Sequence, residues 1–220
     1  MSQLDLFEKP KQNIVRLDLS NMPQDLAPLF ELSVNAFYAV MHARMSELPI
    51  EGEISRFIEK LKHAEDRAAA DKIAGDRGDP DVLAVLKAAY KVQAEIHRME
   101  GLLRFSPDMH GVYTAHCGPD YFILPALTEH FTLRFGETPW AIIDEKRGLC
   151  LCRQKGGEVR LIPVSPSAPE LSAEKAIPEG SVEELWRLYH RSINNESRKN
   201  PRLQRQFMPE RYHKYLSELK

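Results

Sequence analysis

Between Arg187 and Lys214 the chain sets Arg187, Arg191, Arg198, Lys199, Arg202, Arg205, Arg211 and Lys214 against only Glu196 and Glu210. Guanidinium groups make charge-assisted, often bidentate hydrogen bonds to phosphate and carboxylate oxygens. The interleaved Asn194, Asn195, Asn200, Gln204 and Gln206 supply neutral amides for the same acceptors. Phe207 and Tyr212 are rings that can stack on an exposed base or, equally, fill a core. The same charges can also be read as a solvated face with internal salt bridges. With a formal net charge of -2 over the whole protein, the compensating acids lie elsewhere, and any affinity for a polyanion is local.

Other chemistry is thinner. Cys150 and Cys152 alternate on one strand, with His116 and Cys117 on or near another, but the spacing matches no zinc pattern and reads as buried thiols. Cysteines two apart on an extended strand sit near the Cα limit for bridging, so no disulfide is expected there. His42, His97, His130, Asp120, Glu129 and Asp144 are candidate acid/base groups, yet no two share a spacing that dictates one site. There is no P-loop, dinucleotide glycine fingerprint, nucleophile elbow, glycosylase motif or three-cysteine cluster motif for radical-SAM chemistry. No catalytic residue, metal or cofactor is therefore assigned.

At the other terminus, Gln3-Leu4-Asp5-Leu6-Phe7 resembles the short peptide with which bacterial polymerases and repair proteins dock on the replicative sliding clamp. A glutamine amide followed by leucines and a phenylalanine fits an apolar groove at small ordering cost. The competing reading is an apolar tail folded back on its own domain.

The elements that must position these residues follow from apolar spacing. Residues 1–21 read as a flexible tail with a short extended stretch at Val15, Leu17 and Leu19. A helix opens near Pro23 and runs through Leu26, Leu29, Phe30, Val34, Phe37, Tyr38 and Met41. A second covers about Ile50 to Ala74, and a third, capped by Asp79 with Pro80 in its first turn, buries Val82, Val85, Leu86, Ala89, Val92, Ile96, Met99 and Leu103. Strands are expected at Val112–His116, Trp140–Asp144, Leu149–Arg153 and Val159–Val164, the last three separated by Lys146-Arg147-Gly148 and Lys155-Gly156-Gly157. That is an antiparallel meander, with a helix near Tyr121 to Phe131 leading into it.

The prolines of residues 165–180 predict a linker. Ser181 and Glu184 make a capping box for a helix to about Asn195, whose Leu185, Trp186, Tyr189 and Ile193 are expected to pack while Arg187, Arg191 and Asn194 face outward. A last helix spans about Pro209 to Leu219. The expected fold is α+β: amino-terminal helices, a small antiparallel sheet and basic carboxyl-terminal helices, with residues 22–220 as a single domain.

A chain of 220 residues, 43% hydrophobic, can bury a core unaided. Three cysteines, an odd number, suit a reduced compartment, and no apolar run suggests a secretory signal or a membrane span. A cytoplasmic protein with no membrane partner is expected.

The string Arg198-Lys199-Asn200-Pro201-Arg202-Leu203-Gln204-Arg205-Gln206-Phe207-Met208-Pro209, followed by Arg211-Tyr212 and Lys214-Tyr215-Leu216, resembles the closing signature of the domain-of-unknown-function family DUF4130. Weaker similarity covers most of the chain from the third expected helix onward, including His97 to Phe105, Pro119-Asp120, Ile123-Leu124-Pro125 and Trp140 to Asp144. Where relatives often carry His after the Pro-Asp pair, this chain has Tyr121, and its amino-terminal third matches poorly. The resemblance implies a bacterial DNA-repair or DNA-metabolism setting beside a radical-SAM protein or a uracil-DNA-glycosylase-like protein. It implies no reaction and no catalytic residues. Two expectations result: a DNA-binding accessory protein recruited to the sliding clamp, or an enzyme or enzyme subunit acting on damaged bases with such a partner.

Overall fold

The computed structural model describes residues 15–16, 26–108, 110–164, 182–193 and 195–219. Two compact units emerge. One comprises residues 18–97 with 120–123, the other residues 1–17, 98–119 and 124–220.

The first unit is helical: α1 (Leu26–Leu32), α2 (Val34–Met45), α3 (Glu51–Lys62), α4 (Arg67–Ala74) and the residues up to His97 of α5 (Pro80–Leu102). Its core gathers Leu29, Val40, Ile54, Phe57, Leu61, Val82 and Val85. The single helix expected through Met41 breaks at Ser33, whose hydroxyl accepts from the Ala36 amide at 3.1 Å and starts α2 afresh. The same hydroxyl donates to Asp71 of α4. The helix expected from Ile50 to Ala74 is likewise two, because Asp66 accepts from the Ala69 amide at 2.7 Å and caps α4. Asp79 accepts from the amides of Asp81 and Val82 at the start of α5, as its sequence suggests. Deep on α5, the buried Glu95 carboxylate accepts from the amides of Asp120 and Tyr121, each at 2.8 Å.

The second unit is built on a six-stranded sheet: β1 (Val15–Arg16), β2 (Ser106–Pro107), β3 (Tyr113–Cys117), β4 (Trp140–Asp144), β5 (Leu149–Arg153) and β6 (Val159–Pro163), in the order β1-β6-β5-β4-β3-β2. The purely antiparallel expectation fails at its centre, where β3 and β4 run parallel with Tyr113 opposite Trp140 and Cys117 opposite Asp144. A parallel pair needs a crossover. The connection supplies one with a 3-10 turn at Leu124–Leu127 and α6 (Thr128–Phe135), which replace the helix expected at Tyr121 to Phe131. The expected hairpins β4–β5 and β5–β6 form, with Gly148 and Gly156 taking the positive φ their turns require. All five residues of β4 are buried, as befits a central strand covered on both faces.

The rest of this unit is α7 (Val182–Ile193), a 3-10 turn at Glu196–Arg198, α8 (Pro201–Phe207) and 3-10 turns at Glu210–Tyr215 and Ser217–Leu219. The final helix expected from Pro209 is therefore a pair of tighter turns, which sink Tyr212 and Leu216 into the core. Among the described residues no helix is long and apolar enough to cross a membrane. The linker expected at 165–180, and Ser181 and Asn194, lie outside the described residues.

Candidate nucleic-acid interface

Amphipathic spacing predicts that α7 docks through Leu185, Trp186, Tyr189 and Ile193. Only Trp186 does, for Leu185, Tyr189 and Ile193 are 59%, 52% and 59% exposed. The helix is held instead along its polar-aromatic edge. Trp186 donates from Nε1 to Glu218 at 3.0 Å, and Arg187 donates from Nε to the Ser217 carbonyl at 2.6 Å. Arg104 closes the knot, bonding Glu218 through Nε and Nη2 while its guanidinium lies 5.0 Å over the Trp186 ring. Burial pushes the Glu218 carboxyl up, but the hydrogen bonds and charge of Arg104, its own backbone amide and Trp186 together bring it below the ordinary carboxylate value.

Asn200 accepts from the Leu203 amide at 3.0 Å and Pro201 takes the first helical position, so α8 begins where the chain leaves the turn at Arg198. Only Gln204 on α8 is half-buried; the remainder is exposed, including Leu203 and Phe207.

The eight cations thus fall into different surroundings. Arg187 is tied to Ser217. Lys214 reaches Glu145 at 3.2 Å and lies over the Tyr215 ring, and the Arg211 guanidinium covers the Tyr212 ring at 4.6 Å. Arg191, Arg198, Arg202 and Arg205 are exposed and have no carboxylate partner among the described residues. Lys199 is exposed beside Arg198.

A second constellation was not foreseen. Glu145 follows β4 and donates its amide to the Cys117 carbonyl at the end of β3. Its Oε2 accepts from the Tyr215 hydroxyl at 3.0 Å as well as from Lys214, and its Oε1 is 3.3 Å from His116 Nδ1. At that distance the two form an ion pair when the ring carries a proton. The sequence treats His116 only as a partner for cysteines, and Glu145 has no local signal at all. The acid/base candidates it does offer divide between the two units. His42, His97 and Asp120 belong to the helical unit, and Glu129, His130 and Asp144 to the sheet unit. Within the latter, Asp144 accepts from the Lys146 amide and from Arg147, while His130 lies 3.7 Å from Glu100. Burial holds His42 below the ordinary histidine range.

Cys117, Cys150 and Cys152 form no disulfide and are buried; the last two share a sheet face with Ala141, Ile143 and Ile162. No cluster fit to hold a metal ion occurs among the described residues. The peptide Gln3 to Phe7 lies outside the described residues.

The sequence model of a domain of unknown function, DUF4130, matches residues 52–218. The chain belongs to that family. Its DUF4130 region begins within α3, upstream of the helix capped by Asp79 where the resemblance is expected to start, and contains both the cationic segment and the Glu145 cluster. Gln3 to Phe7 fall outside it. No curated protein and no solved structure matches the chain.

Proposed function

We propose that this DUF4130 protein is a DNA-binding accessory factor of bacterial DNA repair or DNA metabolism, acting in the cytoplasm. Arg191, Arg198, Lys199, Arg202 and Arg205 grip phosphate oxygens, and Gln3 to Phe7 recruit the protein to the polymerase sliding clamp. The observation that carries the DNA reading is the exposure of Arg191, Arg198, Arg202 and Arg205 without any acidic partner among the described residues. A surface cation already spent on its own carboxylate releases few counterions when DNA arrives, whereas an unspent one releases its full share.

The test is a salt titration of binding to single-stranded, duplex and gapped DNA. Wild type is expected to bind with a log–log slope that flattens when two or more of these arginines are replaced by alanine. Salt-insensitive or absent binding to all three ends the proposal. The clamp arm is tested separately, by asking whether the Gln3 to Phe7 peptide displaces a polymerase from the clamp and whether Phe7→Ala abolishes this.

One observation favours a second reading, that of an enzyme or enzyme subunit acting on damaged bases with a radical-SAM or glycosylase-like partner. It is the His116–Glu145 pair, to which Tyr215 and Lys214 are tied. Turnover of lesion-bearing oligonucleotides that requires His116 would favour this reading over the adaptor.

A further inference from the structure

Phe207 and Tyr212 are the two rings flanked by the cations of the closing segment, and the fold separates them. Tyr212 is 1% exposed and covered by Arg211, so it is core. Phe207 is 61% exposed. Leu203 and Phe207 are four apart on α8 and share one side of it; Arg202 and Gln206, also four apart, form the adjoining side. From Arg198 to Met208 the sequence holds Arg198, Lys199, Arg202 and Arg205 and no acid.

Charge decides what fits such a surface. An apolar protein face laid on Phe207 would strip water from the arginines without giving them counter-charge. A polyanion without rings would leave Phe207 in water. Duplex DNA offers phosphates but keeps its base faces inside the stack. A single strand offers both, with phosphates along Arg202 and Gln206 and an unstacked base for Phe207. We infer that Phe207 is a base-stacking site and that the ligand of the α8 surface is single-stranded nucleic acid. This rests on the polyanion-binding reading proposed above and narrows its ligand class.

The experiment uses the full chain as wild type, Phe207→Ala and Phe207→Trp. The probes are an oligothymidylate, an abasic sugar-phosphate oligomer and a duplex of equal length, and polyglutamate. Phe207→Ala is expected to weaken oligothymidylate binding by about 5- to 100-fold, the worth of one stacked base. It should leave the abasic oligomer and the duplex unchanged. Phe207→Trp should keep the affinity and show indole emission quenched by oligothymidylate but not by the abasic oligomer.

The inference is overturned if Phe207→Ala costs nothing on oligothymidylate, or costs the same factor on the abasic oligomer and the duplex. A matching loss on polyglutamate overturns it too, assigning the surface to an acidic protein segment. Salt-sensitive binding by wild type with no effect of Phe207→Ala removes the stacking site alone; no salt-sensitive binding by wild type removes the DNA reading beneath it as well.

Discussion

The hydroxyl of Tyr215 lies 2.6 Å from where a Cβ on Gly118 would stand. Position 118 therefore takes glycine for close approach, since its φ is not in the left-handed region. The Tyr215 ring cannot simply retreat, because its hydroxyl is tethered to Glu145. Gly118→Ala should destabilise the protein by about 1–3 kcal/mol, the usual cost of forcing an extra methyl into packed surroundings. Tyr215→Phe in the same background should return part of this, because the next ring atoms stand 3.5 and 3.7 Å away, in ordinary contact. Thermal melts of the two single variants and the double variant decide it; strict additivity would show that the hydroxyl is not the obstacle.

Glu95 is a buried carboxylate whose two oxygens each serve a backbone amide, those of Asp120 and Tyr121. Glu95→Leu strands both donors and should cost about 2–4 kcal/mol. Glu95→Gln keeps one acceptor oxygen and should fall between. Hydrogen exchange at Asp120 and Tyr121 should accelerate more than at Val85; uniform acceleration would mean a global effect and no particular bond.

The Glu218 carboxyl sits below its ordinary value in the folded chain, so protons favour the unfolded form. Its contribution is present above the ordinary carboxylate pKa of about 4.3 and disappears as pH falls through the lower folded value. Trp186 donates to this carboxylate and reports on it. Its emission should change only at a pH below the ordinary carboxylate range, and Glu218→Gln should remove that step. A step of unchanged size in the variant would assign it to another carboxyl group.

Arg187 and Arg191 are one helical turn apart on α7 yet should behave differently. Arg187 gives a partly buried hydrogen bond to Ser217, and Arg187→Ala should cost about 1.5–3 kcal/mol of stability. Arg191→Ala, like Arg202→Ala and Arg205→Ala, should move stability by no more than about 0.5 kcal/mol. Each of these three should flatten the salt slope of binding by up to about 0.7 for a single strand, or about 0.9 for a duplex, per phosphate it meets. Denaturant melts and salt titrations on the same samples separate the two classes.

Much of the framework is legible in the sequence where a signal is local. Asp79-Pro80 and the apolar spacing behind it delimit α5, and Lys146-Arg147-Gly148 and Lys155-Gly156-Gly157 mark the two hairpins. Ser33 looks like an ordinary polar interruption of a stripe, and only its hydroxyl's contact with the Ala36 amide makes it a boundary. The parallel register of β3 and β4 carries no local signature, since it depends on which strand the crossover returns to. The site shows the same limit. Cationic composition can be read directly, but whether a cation is spent depends on residues distant in sequence: Ser217 occupies Arg187, and Glu145 occupies Lys214. The apolar stripe of α7 misleads at Leu185, Tyr189 and Ile193, because the bonds of Trp186 to Glu218 and of Arg187 to Ser217 fix the helix orientation.

All three sulfhydryls of the chain are unbridged and shut inside the sheet unit. A disulfide-based reagent should leave the native protein almost untouched and titrate three groups once it is denatured, making reagent uptake a clock for opening of the sheet. The same seclusion leaves the exterior blank for labelling. A cysteine introduced at an exposed position such as Gln206 would carry a single dye and watch that surface without interference from the interior.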